Sequence, residues 1–234
     1  MSASLNILSL DSSTEACSIA LLTATDSIYQ RFMLAPREHT QKILPAIDDV
    51  VKEANLTLSN IDAIVYGQGP GSFTGVRITI SIAQGLAFGL DKKMVGVSTL
   101  QAMAQQALNT QQSESVYAAI DARMGEVYFA HYVNQEGVMV LQAQEIVIKP
   151  EDLMNMSENI IKDSILVGTG WAAYPNLTSH FNECTLSDIL YPDAVYMLAA
   201  GKAAVLEGLA LAPELATPVY LRDTVTWKKL PGRK

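Results

Sequence analysis

Residues 5–23 read LNILSLDSSTEACSIALLT, and residues 116–133 read VYAAIDARMGEVYFAHYV. Each stretch opens with a short apolar run, reaches an aspartate (Asp11 or Asp121), makes a short polar turn and continues into a second apolar run. Short strand-like runs joined by short polar turns predict antiparallel hairpins. Because the same unit opens both halves of the chain, the sequence predicts a duplicated α/β fold.

The elements that follow each hairpin support this duplication. After a third strand-like run at Ile28–Leu34, the first half alternates helical and strand patterns in the order βββαβαβα. The second half begins again with strands at Val116–Ile120, Glu126–Val133 and Val138–Ile148, and is less regular afterwards. Its predicted helices cover Glu151–Ile160 and Asp193–Leu206. Two βββαβα-type lobes are the layout of the actin, sugar-kinase and chaperone-ATPase (ASKHA) superfold.

The predicted domain organisation follows from these patterns. Residues 1–108 form an N-terminal ASKHA-like lobe, and the polar stretch 109–115 (NTQQSES) is a linker. Residues 116–221 form a C-terminal ASKHA-like lobe, and residues 222–234 form a basic tail in which five Lys and Arg stand against Asp223 alone. Such a tail on an acidic body could touch an anionic partner, or it could simply be solvated.

Composition restricts the class of protein. The chain has 234 residues, of which 49% are hydrophobic and 17% charged, so it can bury a sizeable core and disorder is excluded. Its net charge of −8 argues against an autonomous nucleic-acid binder. The two cysteines, Cys17 and Cys184, are expected to be free thiols in a reducing cytoplasm. We expect neither a secretory signal nor a membrane-spanning helix.

The two hairpin turns are candidate nucleotide-facing sites. In the superfold such turns meet nucleotide phosphates, and the aspartate can hold a metal-bound water. In the second turn, Ala122 and Arg123 fill space that glycine would leave open, which makes a complete phosphate clamp doubtful. The alternative for the first turn is an ordinary Asx or ST turn. The candidate residues are Asp11, Ser12, Ser13, Thr14, Asp121, Arg123, Gly168 and Gly170.

A glycine-rich loop precedes an unusually apolar helix. Gly67–Gly75 (GQGPGSFTG) lacks the lysine of a Walker A loop and the third glycine of a dinucleotide fingerprint, so it predicts a turn capped by Ser72 or Thr74. The helix predicted at Thr74–Gly89 has a single narrow polar stripe, which indicates burial nearly all round, within the domain or in a subunit interface. The three histidines show no metal-ligand spacing, and no metal site is expected.

Several segments of the chain resemble the TsaB family, also called YeaZ. The resemblance covers nearly the whole chain, and the most specific segments are GPGSFTGVR from Gly69 and IDARMGEVY from Ile120. It implies a role in bacterial threonylcarbamoyladenosine synthesis on the tRNA adenosine that follows the anticodon. It also implies a cytoplasmic, non-catalytic subunit that binds and organises its paralogue, the transferase TsaD, together with the ATPase TsaE, and that meets tRNA only through the complex.

The resemblance further implies self-pairing, or pairing with TsaD, through the first two helices. The residues carried over to that interface are His39, Ile43, Ile47, Gly75, Val76, Ile80, Ala83 and Ala87. The H-x-x-x-H metal pair of TsaD corresponds here to Thr99 and Met103, which are poor ligands. No cofactor is expected in the isolated protein, although a nucleotide could bind at the partner interface. The alternatives are an independent ATP-dependent enzyme, a metallopeptidase and a self-sufficient homodimeric module.

Overall fold

The first sheet has the strand order β3-β2-β1-β4-β5. It is described in a computed structural model that covers residues 4–157 and 159–222. The first three strands are antiparallel neighbours, and β4 and β5 run parallel to β1, so the predicted meander is confirmed. The strands are β1 (Ile7–Asp11), β2 (Ala16–Leu22), β3 (Ile28–Leu34), β4 (Ala63–Gly67) and β5 (Lys93–Val97).

Helices α1 (His39–Glu53) and α2 (Phe73–Leu90) pack on one face of this sheet. The Ser72 side chain caps α2 by accepting from the Gly75 N–H at 3.3 Å, as predicted. The expectation that α2 is buried nearly all round is wrong within this chain, because it buries only the face that meets the sheet. By length and mean hydropathy (1.3) α2 could cross a membrane, a test that core helices of globular proteins also pass.

The second sheet repeats the topology of the first. Its order is β11-β10-β6-β7-β8, with β9 paired to β7. If β9 is set aside, the five remaining strands of the second half have the same order as the first sheet: third, second, first, fourth, fifth. The predicted duplicated ASKHA-like α/β fold is confirmed. The strands are β6 (Ser115–Arg123), β7 (Glu126–Gln135), β8 (Val138–Leu141), β9 (Ile146–Ile148), β10 (Ile165–Val167) and β11 (Thr185–Leu186).

The remaining helices are shorter. They are α3 (Thr99–Gln111), α4 (Pro150–Met156), α5 (Gly170–Ala173), α6 (Pro175–His180) and α7 (Leu198–Leu206), with 3₁₀ turns at Leu58–Asn60, Ala194–Met197 and Pro213–Leu215. Sequence reasoning missed α5, α6 and β11, which are too short to show a periodic pattern. The single strand predicted at Val138–Ile148 is two strands, and the helix predicted at Glu151–Ile160 ends at Met156.

Two predicted domain boundaries need correction. Leu100, Met103 and Ala107 of α3 pack into the core of the second sheet, although the prediction placed α3 in the first lobe. The same helix continues to Gln111, so residues 109–111 form its polar last turn rather than linker. At the other boundary, the Ala194–Met197 turn and α7 pack on the first sheet against Ile7 and Val65. Residues 194–216 therefore belong by packing to the first sheet: apolar side chains of residues 194–210 cover its second face, and Ala216 packs in the core under α1 and α2.

The basic tail lies mostly outside the described residues. Of the predicted segment 222–234, the structure describes only Arg222. Both cysteines are free, with Cys17 buried in the first core and Cys184 partly exposed.

Candidate functional site

A cleft of about 650 Å³ separates the two hairpin turns. One wall comes from the β1–β2 turn and the start of α1, and the other from the β6–β7 turn. The cleft is lined by Ser13, Thr14, Glu15, Pro36, Arg37, His39, Gly71, Ser72, Ile120, Asp121, Ala122, Arg123, Tyr128, Thr169, Ala173 and Tyr191. Sequence reasoning proposed five of these residues as site residues and missed tyrosines such as Tyr128 and Tyr191, because single tyrosines in the sequence carry no positional signal.

The carboxylate of Asp11 lies beneath the first turn rather than in the cleft. Its Oδ1 accepts hydrogen bonds from the Ser13 N–H and Ser13 Oγ, both at 2.9 Å. Its Oδ2 is buried, has no partner among the described residues and packs against Gly67. Burial raises the pKa of Asp11 to about 6, and the hydrogen bonds from Ser13 offset only part of that effect.

Several polar groups of the first turn are paired within the protein. The Ser12 N–H donates to Thr79 Oγ1 at 2.8 Å, and Ser12 Oγ donates to the Gly75 carbonyl at 3.0 Å. The Ser13 carbonyl accepts from the Ser72 N–H at 2.7 Å. The first turn is therefore fastened to the start of α2, and Gly75 is required there because a β-carbon would lie 2.1 Å from the Ser12 carbonyl oxygen.

The second turn is held in the same way. The Arg123 N–H donates to Asp121 Oδ1 at 3.0 Å, and the Asp121 N–H donates to Thr169 Oγ1 at 3.2 Å. The Arg123 guanidinium pairs with Asp121 at 3.2 Å and reaches across the cleft to Glu15 at 3.3 Å. Because the Arg123 side chain is 73% exposed, its link to Glu15 is worth at most about 1 kcal/mol.

Gly168 and Gly170 do not line the cleft. A β-carbon at Gly168 would lie 2.2 Å from the Ala119 carbonyl oxygen, and one at Gly170 would lie 3.0 Å from the same residue. The two glycines therefore allow the end of β10 to pack on β6. This packing role accounts for them without an adenosine-binding turn.

A nucleotide of the kind the superfold binds would lie between the two turns, where part of the phosphate-binding apparatus is already occupied. A phosphate clamp needs free N–H groups in both turns, and the four named above, from Ser12, Ser13, Asp121 and Arg123, are used inside the protein. Arg123 further occupies the space between the turns, and Asp11 does not reach the cleft. Among the described residues no group of three His, Cys, Asp or Glu side chains could hold a metal ion. We derive no chemical step through a nucleotide.

Within this chain, the residues carried over to the helical interface lie on the core side of their helices, and their part in pairing stays a prediction. All eight are buried, with His39 the most exposed at 8%. The buried face of α2 was not predicted, since all but one narrow polar stripe of the helix is apolar. The eight residues are His39, Ile43, Ile47, Gly75, Val76, Ile80, Ala83 and Ala87. His39 begins α1 and lines the cleft, and its Nε2 has no partner among the described residues.

The outward face of α2 is apolar and contains two glycines without a role inside the chain. Phe88 is 80% exposed and Phe73 is 56% exposed. A β-carbon added at Gly85 or Gly89 would meet no atom within 4 Å. A groove of about 400 Å³ runs along this face and is lined by Thr40, Phe73, Thr74, Arg77, Ile78, Ser81 and Ile82. We call the exposed side of α2, with Thr40 and Leu44 of α1, the α2 surface.

Comparison with known proteins identifies the family. A curated relative from Escherichia coli (strain K12), described as tRNA threonylcarbamoyladenosine biosynthesis protein TsaB, is 46% identical over 98% of this chain and 100% of its own length. The chain belongs to the TsaB family. A relative of the same description from Haemophilus influenzae is 45% identical over 98% of this chain and 99% of its own length. The resemblance stated from the sequence is thus confirmed.

Other comparisons agree with membership of the TsaB family. The structure described as YeaZ from Pseudomonas aeruginosa has a TM-score of 0.84 and 39% identity, and the match covers 93% of this chain and 100% of that one. A second structure from that organism, described as similar to peptidase YEAZ, also has a TM-score of 0.84. The family model for TsaD, tRNA N6-adenosine threonylcarbamoyltransferase, matches residues 33–230, which relates the TsaB family to that transferase.

Proposed function

We propose that this chain is a non-catalytic subunit that binds a TsaD-type transferase and is required for threonylcarbamoyladenosine modification of the tRNA adenosine after the anticodon. In this proposal the ATPase TsaE joins the pair, tRNA is met only through the complex, and the assembly works in the cytoplasm. The subunit acts by stabilising the active arrangement of the transferase, which is a shift of populations and not chemistry.

The α2 surface carries the proposal. A glycine inside an exposed helix costs about 1 kcal/mol relative to alanine, and Gly85 and Gly89 have no neighbour in the chain that would require them. Glycines on an outward helix face let another backbone approach closely. With Phe88 and Phe73 exposed beside them, the surface fits a second helix of similar character, from TsaD or from another copy of this chain.

The positions that correspond to the transferase's metal pair support a non-catalytic role. Thr99 and Met103 are both fully buried. The Thr99 hydroxyl is 3.0 Å from Ser13 Oγ, and the Met103 side chain packs in the core of the second sheet. Both side chains therefore have structural partners, and a hydroxyl with a thioether is a poor replacement for two imidazoles as transition-metal ligands. The net charge of −8 further supports contact with tRNA through a partner.

The test is light scattering on a sizing column with this protein alone, with TsaD alone and with both. We expect a one-to-one species that replaces any homodimer. Phe88→Asp should weaken it more than about tenfold. The matched control is Phe32→Asp, which alters an aromatic residue of β3 that is 45% exposed. Unchanged peaks on mixing, or equal loss with both variants, would contradict the proposal. A tRNA modification assay with and without the chain then tests the requirement.

A further inference from the structure

The last described residues connect α2 to the turn of the second sheet. After the Pro213–Leu215 turn the chain runs along α2, where Gln84 Nε2 donates to the carbonyls of Pro213 at 2.9 Å and Ala216 at 3.1 Å. Ala216 is buried in the first core. The Val219 N–H then donates to the Gln68 carbonyl at 2.8 Å. We call residues 216–222 the strap.

On α2 the strap is fixed by an aromatic and cationic cluster. Arg77 Nε donates to the Tyr220 hydroxyl at 2.8 Å. The Arg77 guanidinium carbon lies 3.6 Å from the centre of the Phe73 ring, and the Phe73 and Tyr220 rings are 5.5 Å apart. Phe73 and Arg77 also line the groove of the α2 surface. Whatever covers that groove therefore touches the residues that hold Tyr220, and excluding water there strengthens the cation–π contact.

Two residues later the strap reaches the other sheet. Arg222 pairs with Glu126 at the start of β7, through Nε at 3.1 Å and through Nη2. Its Nη2 also donates to the carbonyls of Ala122 at 3.2 Å and Arg123 at 3.4 Å. The side chains of Arg222 and Glu126 are only 18% and 28% exposed. This contact is thus better shielded from solvent than the Arg123–Glu15 pair across the cleft, so removing one of its partners should cost more.

We propose that the strap couples the α2 surface to the β6–β7 turn, so that a partner bound on α2 restricts the second sheet relative to the first. Ordering of Phe73 and Arg77 fixes Tyr220, and Tyr220 fixes Arg222 against the turn. The claim that a partner binds on α2 rests on the proposed function. The coupling through the strap does not, because all of its contacts lie within one chain.

Hydrogen exchange of the full chain without any partner tests the coupling. Arg222→Gln should raise the exchange rate of amides 121–126 about tenfold. Arg77→Gln, at the other end of the strap, should raise the same rate about threefold. In the Arg222→Gln background, Arg77→Gln should add nothing, because the connection is already broken. Lys162→Gln, which breaks the exposed pair with Glu183, is the control and should leave these amides unchanged.

Each other outcome overturns the proposal. If Arg222→Gln leaves amides 121–126 unchanged, the strap does not hold the turn. If Arg77→Gln has no effect there, or has the same effect in both backgrounds, the strap carries no coupling. Adding a TsaD-type subunit should slow the same amides in the natural chain and not in Arg222→Gln. Failure of the two proteins to associate would count against the proposed function alone, since the exchange of the free chain is measured separately.

Discussion

The carboxylate of Asp11 packs directly against the α-carbon of Gly67, so that a β-carbon at Gly67 would lie 1.7 Å from Asp11 Oδ2. This contact closes the carboxylate off from solvent at the end of β1, where Asp11 is 1% exposed. One carboxylate oxygen is left without a partner among the described residues. Folding therefore buries an acid whose charged form is poorly solvated, and the stability of the protein must depend on pH for that reason.

The first prediction concerns this pH dependence. The pKa of Asp11 rises from 3.8 to about 6 on folding, so the folded state binds the proton more tightly and loses stability as pH rises from about 4 to above 6. The shift corresponds to a loss on the order of 3 kcal/mol. Asp11→Asn removes this component, so its free energy of unfolding should fall less between pH 4.5 and 7.5.

Urea unfolding at the two pH values measures the effect. Asp49→Asn, which removes an exposed carboxylate from α1, is the charge-matched control and should keep the pH dependence of the natural chain. If Asp11→Asn and the natural chain lose the same free energy over this range, the carboxylate is not the source of the dependence.

The second prediction separates two glycines of α2. Gly85→Ala should stabilise the free chain by about 0.5–1 kcal/mol, since the position is helical and open. Gly75→Ala should destabilise it by at least about 2 kcal/mol, because its β-carbon would meet the Ser12 carbonyl at 2.1 Å. Thermal or urea unfolding checks both.

If the proposed function is correct, Gly85→Ala should also weaken binding of TsaD while stabilising the free protein. A variant that is more stable and binds TsaD at full strength would speak against close helix packing at Gly85.

The third prediction concerns nucleotides. Because four N–H groups of the two turns are used internally and Arg123 spans the cleft, ATP with magnesium at millimolar concentration should leave the thermal midpoint of the isolated protein unchanged. A ligand present at 100 times its Kd would add about 2.7 kcal/mol and raise the midpoint by several degrees. Differential scanning calorimetry with and without ATP makes the comparison. A clear rise with ATP would show that the cleft accepts a nucleotide after all.

The fourth prediction concerns a buried carboxylate between α3 and the second sheet. Glu145 accepts hydrogen bonds from the Ser98 and Tyr132 hydroxyls, and burial raises its pKa in spite of them. Tyr132→Phe should cost about 1–3 kcal/mol at neutral pH, because it removes a donor from a buried charge. The cost should shrink as pH falls and the carboxyl takes up a proton. Urea unfolding at pH 5 and 8 measures it, and a cost that is equal at both would argue against a charged Glu145.

Much of the fold could be predicted from the sequence. The hairpins at Asp11 and Asp121 and the helix cap at Ser72 follow from local periodicity and turn chemistry, which act over a few residues. The buried face of α2 was not predicted, because a helix with only one narrow polar stripe leaves several apolar faces that could be buried. The placement of α3 and of residues 194–216 depended on which sheet had an open apolar face, and this is a property of the assembled layers.

The sequence by itself determined the duplicated topology, the family membership and the residues, Thr99 and Met103, that stand where the transferase has its histidine pair. Each of these follows from residue types and their spacing along the chain. Tertiary structure alone decided that the predicted interface residues face the core, that four N–H groups of the two turns are used internally and that Arg222 returns to the second sheet. The physical reason is separation along the chain. The Ser12 N–H donates to Thr79, which lies 67 residues away in the sequence, and Arg222 donates to Glu126, which lies 96 residues away. No local pattern encodes such pairings, which appear only when packing brings distant segments into contact.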